Sequence, residues 1–172
     1  MRLKPILSAG LILGFAFLAG ACGYRLVGKQ VALPGGGKEL YVPLLKNKTL
    51  EAGLEDDVTQ ELRKQLLADG RVQLNPDAPV ELRGVITEVT RTPMSFSALG
   101  VVNVERERIS AEFRLVRKTG SEILWQSGEL TADREYPMSS DPLDTDRARE
   151  RALREAAEDL AKTALELLLG NF

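Results

Sequence analysis

Apolar residues recur every four positions at Leu54, Val58, Leu62 and Leu66, with Glu55, Asp56, Asp57, Glu61, Arg63 and Lys64 between them. That spacing gathers one apolar stripe on one side of a helix. Acidic residues crowd its first half, where the helix dipole favours them. Asn47 or Thr49 is the expected cap and Gly70 the expected terminator. A second helical period runs through Leu153, Ala156, Ala157, Leu160, Ala164, Leu167 and Leu168. It starts near Asp141-Pro142, an N-cap acceptor followed by a residue suited to the first turn, and Gly170 follows its end. Arg147, Arg149, Glu150, Arg151, Glu155 and Glu158 make its wet face. Between the helices the period changes to two. Ile109, Ala111, Phe113 and Leu115 alternate with Ser110, Glu112 and Arg114, the pattern of a half-buried strand. A strand before it begins at Val72–Leu74, is interrupted at 75–79 and runs from Val80 towards Val89. A strand after it opens at Ile123-Leu124-Trp125 and resumes at Leu130 and Ala132, with a bulge at Gly128. Lys118–Ser121 is short enough to make these neighbours an antiparallel meander. Leu40–Leu45 is a further strand, and Pro43 places it at an edge or a bulge. The predicted order is β-α-β-β-β-α. The predicted class is α+β, with two helices packed on one face of a mostly antiparallel or mixed sheet of about four strands.

The start of the chain follows a different logic. Arg2 and Lys4 precede the apolar run Leu11–Leu18, and Ala19-Gly20-Ala21 supplies small residues before Cys22. This is the layout of a secretory signal peptide over 1–21. The run is too short to span a bilayer, which takes roughly 20 residues. Cys22 is the only cysteine of the 172-residue chain, so it has no partner for an internal disulfide. The segment resembles a lipobox, with Leu18 four residues before the cysteine and Ala19 in the usual leucine place. That resemblance implies cleavage before Cys22 and acylation of its side chain. Acyl chains contribute about 0.8 kcal/mol per buried methylene, and two or more hold a protein on a membrane. Gly23, where an Asp would signal inner-membrane retention, implies the outer membrane and a periplasm-facing domain. Residues 22–172 are then expected to form one lipid-anchored domain, with Tyr24–Val27 as a short strand and 29–38 as a flexible loop rich in glycine.

Composition narrows the chemistry. The chain has no histidine, 23 Lys+Arg and 25 Asp+Glu, for a net charge of −2. Without histidine or a second thiol, the usual nucleophilic triads and almost every zinc site are excluded. No phosphate-cradling motif occurs, since Gly35-Gly36-Gly37 has no following Lys-Ser/Thr. Asp141, Asp144 and Asp146 lack the glycine and distal glutamate of a calcium loop. No basic stripe points to nucleic acid. No catalytic residue, metal or cofactor is assigned, and the expected protein is not an enzyme. Glu105-Arg106-Glu107-Arg108 alternates in sign along one strand, with the glutamates on one face and the arginines on the other. It reads either as a solvated or edge strand or as a charged strip that docks a partner. Thr92–Val101 carries Met94, Phe96 and Leu99 and few charges. It either folds over the end of the sheet or projects an apolar tip for docking.

The start Cys22-Gly23-Tyr24-Arg25-Leu26 resembles the Cys-Gly-aromatic-x-Leu start of the lipopolysaccharide-assembly lipoprotein family, LptE. The strand, first helix, meander with Leu124-Trp125 and alanine-rich last helix are similar to that family's order across the mature chain. The resemblance implies a non-enzymatic domain that plugs the lumen of the outer-membrane β-barrel translocon LptD. It further implies a role in assembling that barrel and in delivering lipopolysaccharide to the cell surface. Studied family members also bind lipopolysaccharide through basic residues at loop ends. Here Ser97-Ala98-Leu99-Gly100 and Met138-Ser139-Ser140 carry none, and Arg91 and Arg134 are the nearest arginines in sequence. The candidate contacts with the partner or with lipopolysaccharide are therefore Arg91, Phe96, Leu99, Arg106, Arg108 and Arg134. The alternative reading is an outer-membrane lipoprotein that regulates a periplasmic cell-wall synthase. Such a protein needs reach, and ten extended residues at 29–38 span only about 35 Å.

Overall fold

Residues 33–170 are described by a computed structural model of the protein; the signal segment, Cys22 and the strand expected at 24–27 lie outside the described residues. The elements are β1 (Glu39–Leu40), β2 (Lys46–Asn47), α1 (Leu54–Asp69), β3 (Gln73–Leu74), β4 (Val80–Phe96), β5 (Val102–Arg117), β6 (Ile123–Pro137) and α2 (Pro142–Gly170). The main sheet has the order β2-β4-β5-β6, parallel between β2 and β4 and antiparallel elsewhere. Both helices pack against it, which is the α+β arrangement the periodicities predict. Leu54, Val58, Leu62 and Leu66 are all buried, as are Leu153, Ala156, Ala157, Leu160, Ala164 and Leu168. They meet Leu82, Ile86, Ile109, Ala111, Phe113 and Leu115 from the sheet in one core. Leu167 departs from the expectation: at 37 % exposure it sits at the margin of the buried stripe.

The expected strand Leu40–Leu45 divides in two. Leu40 ends β1, Tyr41 keeps a single bridge to Glu81, and the ladder resumes only at Lys46. Pro43 has no N–H to give to a ladder, and α1 takes over the backbone there. Arg63 donates to the Val42 carbonyl at 2.7 Å, and the Leu45 N–H donates to Thr59 Oγ1 at 3.1 Å. Val42 and Leu45 are thereby held in the core. Gln73–Leu74 does not open the meander; it pairs parallel with β1 in a separate two-stranded sheet. The cap of α1 also differs. Gly53, at φ 88°, occupies the N-cap position with no side-chain bond. Asn47 acts nearby instead, donating to Glu55 and to the Glu51 carbonyl, each at 2.7 Å. Its amide holds the Glu55 carboxyl below the usual range. Gly70 ends α1 as expected, and Asp141 caps α2 by accepting from the Leu143 N–H at 2.9 Å.

Two of the register shifts in the sheet set the phase of its helix-facing rows. Opposite an unbroken stretch of β5, β4 gains one residue between Ile86 and Glu88, and β6 gains one at Ser127-Gly128. The helix-facing set on β4 therefore passes from Leu82, Gly84 and Ile86 to Val89, Arg91 and Pro93. On β6 it passes from Trp125 to Leu130, Ala132, Arg134 and Tyr136. In the described part of the 29–38 loop, the Gly36 N–H donates to the Leu33 carbonyl at 2.8 Å and Leu33 is buried.

Candidate docking site at the hairpin tip

The β4–β5 hairpin is much longer than the helices need. Its proximal half lies under them. Past the Val89–Ile109–Ala132 row the same face turns polar, with the rows Arg91–Glu107–Arg134 and Pro93–Glu105–Tyr136. Glu107 is only 1 % exposed and is held from two sides: Arg91 Nε donates to Glu107 Oε1 at 2.8 Å and Arg149 Nε to the same oxygen at 2.6 Å. Arg149 also pairs with Glu51, in the loop before α1. Tyr136 Oη donates to Glu105 Oε2 at 2.5 Å. One cluster thus joins the hairpin, β6, the first half of α2 and the 47–53 loop. Burial opposes the Arg149 charge, yet the Glu51 and Glu107 carboxylates outweigh it and raise its pKa. Burial, reinforced by the Glu105 bond, pushes the Tyr136 phenol well above its ordinary value.

Glu105–Arg108 is therefore not an edge strand, and it is solvated on one face only. β5 is central, and its two glutamates face α2. Glu107 is inside the protein, so any docking surface on this strand is formed by the arginine side. The arginines face the open side, as the alternation requires. Arg106 pairs with Asp133 at 3.3 Å and Glu135 at 2.5 Å, and Arg108 with Asp133 at 3.6 Å.

Beyond the charge cluster the hairpin continues without helical cover. Ser97–Val101 closes it: the Ser97 N–H donates to the Val101 carbonyl at 2.7 Å, and Gly100 turns the chain at φ 77°. Phe96 is 59 % exposed and Leu99 91 %, with Met94 and Val101 also in solvent. Folding back over the sheet end is thus not what this segment does. Met138 is tied to the hairpin by its N–H to the Asn103 carbonyl at 2.8 Å, and it too is exposed. The tip is an apolar projection on a charge-braced stalk.

The structure brings Phe96 and Leu99 together at this tip, and not the four arginines. Arg91 is engaged by Glu107, and Arg134 pairs with Asp159 and, at 3.7 Å, with Glu155 on α2. Glu51, Tyr136 and Arg149 were not readable as one site, because they come from elements far apart in sequence. The only hint was the alternation that put Glu105 and Glu107 on the side of Ile109. Among the described residues no cluster of carboxylates has metal-binding geometry, and no helix is long and apolar enough to cross a membrane.

The model of the LptE family, described as lipopolysaccharide-assembly, matches residues 37–166. No curated protein matches the sequence. Among solved structures, rare lipoprotein B from Shewanella oneidensis is similar at 18 % identity and TM-score 0.57, over 77 % of this chain and 94 % of that one. An uncharacterized lipoprotein B from Nitrosomonas europaea is similar at 16 % and 0.54, over 86 % and 91 %. A point-substituted PelC dodecamer from Paraburkholderia phytofirmans shares the fold at 18 % and 0.51, over 80 % and 92 %. At these identities the structural likenesses show the fold alone.

Proposed function

Since the chain belongs to the LptE lipopolysaccharide-assembly family, we propose that it is an outer-membrane lipoprotein acylated at Cys22 that plugs and helps assemble an LptD-like translocon barrel. In that place it aids delivery of lipopolysaccharide to the outer leaflet. The role is structural: the domain supplies shape and charge, not catalysis.

The observation that carries the reading is the family match across most of the folded domain. The geometry adds a means. The lumen of an outer-membrane barrel is polar, and the sides of this domain are laced with ion pairs. The apolar tip is the part suited to a pocket in the barrel wall, with Phe96 and Leu99 as its anchors. Arg106 and Arg108, on the open face of the same hairpin, are the charged contacts beside it. Arg91 and Arg134 act from beneath by holding the stalk to β6 and α2.

The test is affinity purification of the full-length, C-terminally tagged protein from detergent-solubilised outer membranes. A large barrel recovered at one-to-one stoichiometry is the expected result. Phe96→Ser with Leu99→Ser is expected to lower that yield several-fold while leaving thermal stability unchanged. Recovery of a cell-wall synthase in place of a barrel would overturn the proposal.

A further inference from the structure

β6 closes one side of the main sheet, and among the described residues no strand lies beyond it. The ladder fixes which of its main-chain groups point outward. The Met138 N–H donates to the Asn103 carbonyl of β5 at 2.8 Å, and the register then runs unbroken from Val104–Pro137 to Glu112–Glu129. In an antiparallel pair such bonds alternate along each strand, so 130, 132, 134 and 136 bond to β5. Glu129, Thr131, Asp133 and Glu135 turn their N–H and C=O groups off the sheet. Among the described residues one of these groups is engaged, the Asp133 carbonyl, which accepts from the Arg134 guanidinium at 3.0 Å.

This edge is guarded against added strands mainly at its ends. Gly128 lies in the bulge at one end, and Pro137, with no N–H, at the other. Between them a groove of about 480 Å³ runs along Thr131–Arg134 and is walled by Asp159, Lys162 and Glu166 of α2. An open strand edge is a seat for an extended segment bound by main-chain hydrogen bonds. The charges decide which segment. Glu129 stands directly opposite Glu112 in the β5–β6 register, and like charges in that relation destabilise a sheet. Glu112 is taken by Arg114, and Glu129 has no ion pair among the described residues. A second copy of this chain fits poorly for the same reason. Every antiparallel self-pairing centred on 131, 132 or 133 sets an acid of the set Glu129, Asp133 and Glu135 against another. A neighbouring strand with cations on that face relieves the contact instead.

We propose that the 129–135 edge of β6 docks an extended segment of the partner protein that carries Lys or Arg at alternate positions. The segment joins the four-stranded sheet as a fifth strand. Its main-chain groups pair with those of Glu129, Thr131, Asp133 and Glu135. Its cations lie on the open face beside Glu129, and the residues between them lie against the polar wall of α2. Assigning the segment to the translocon barrel rests on the function proposed above. The open edge and its charge do not.

The test replaces Glu129, Thr131 or Asp133, one at a time, by the photo-reactive p-benzoylphenylalanine in the full-length tagged protein in intact cells. Each adduct is then mapped by mass spectrometry. The expected adducts fall in one segment of the barrel protein with Lys or Arg at alternate positions. They advance along it in order, by about two residues from one probe position to the next. Thr131→Pro removes an outward N–H and no ladder bond to β5, a place where an edge strand tolerates proline. It is expected to lower the adduct yield at 133 about fivefold, the effect of one main-chain hydrogen bond. Glu129→Lys, which alters no backbone group, is the second variant and is expected to lower that yield several-fold. Thr131→Ala keeps the N–H and is expected to leave it unchanged. Unchanged yield in both Thr131→Pro and Glu129→Lys overturns the site. So do adducts to a second copy, adducts to residues 22–32 of this chain, adducts without order, or none at all three positions. Barrel recovery separates the two ideas. If the barrel is recovered without ordered adducts, the edge fails and the plug stands. If ordered adducts fall in a protein that is not a barrel, the plug fails and the edge stands.

Discussion

The two halves of the β4–β5 hairpin are continuous strands held by different physics. Near the root, Leu82, Ile86, Ala111, Phe113 and Leu115 are wholly buried beneath the helices. Farther out the same face is held by Arg91, Glu107, Arg149 and Tyr136, and beyond that by its own ladder alone. Apolar packing is non-directional and roughly additive in area. A charge cluster is directional and fails as a unit. The root should therefore govern whether the domain folds, and the distal half where the hairpin points once it has.

That contrast is open to test by substitution. Phe113→Ala, at a fully buried ring, is expected to lower stability by about 3–5 kcal/mol in urea unfolding. A smaller loss than that from the next variant would break the comparison. Glu107→Ala leaves Arg149 and Arg91 without their shared acceptor. A fully buried pair broken this way costs about 3–5 kcal/mol, but Arg91 is 47 % exposed on its side chain and water screens it. A loss of about 2–3 kcal/mol is expected. Hydrogen exchange sharpens the point: amides at 91–96 and 102–107 should exchange faster in this variant, while those at 82–86 keep their protection relative to global stability.

Tyr136→Phe removes one hydrogen bond to a carboxylate and is expected to cost about 1 kcal/mol at neutral pH. Its pH dependence has a fixed sign. The folded protein holds the phenol proton more tightly than the unfolded chain does. The contribution is therefore complete below the ordinary tyrosine pKa of about 10 and is lost as pH rises above it. Wild type should accordingly lose its advantage over Tyr136→Phe between about pH 10 and 12, measured by denaturant midpoints; an advantage that grew with pH would refute the assignment. The smallest effect belongs to Phe96→Ser with Leu99→Ser, within about 0.5 kcal/mol, since the tip contributes little to folding.

Much of the root was legible in the sequence because periodicity reports burial. The stripe Leu54–Leu66, the alternation Ile109–Leu115 and the Asp141-Pro142 start each follow from local rules that the packed structure obeys. The distal half was legible only in outline. The alternation placed Glu105 and Glu107 on one face but could not tell that this face stays covered so far along the hairpin, since that depends on Arg149 of α2 reaching Glu107. Arg149 looked like any arginine on a wet helix face, and its partners at Glu51 and Glu107 are set by tertiary contact. The split of Leu40–Leu45 was half visible in Pro43; that Arg63 and Thr59 would satisfy the freed backbone was not. The cap at Gly53 was missed because Asn47 and Thr49 are better capping residues in isolation, and here they order the loop instead.

The unpaired residue of β4 near Thr87 has a consequence for how the chain can vary in length. Alternation makes each strand a two-letter frame, and one residue gained or lost exchanges the dry and wet letters from that point on. In β4 the frame already contains a surplus letter at this point, and a second lies nearer the tip between Pro93 and Ser95. Removing the first restores regular alternation with Val89 and Arg91 still facing the helices, whereas removing a residue between Val89 and Arg91 sends Arg91 to the opposite side. The bulge is thus where a single-codon deletion keeps the dry and wet frame of the strand, and Ser127-Gly128 offers the same allowance on the other flank of β5.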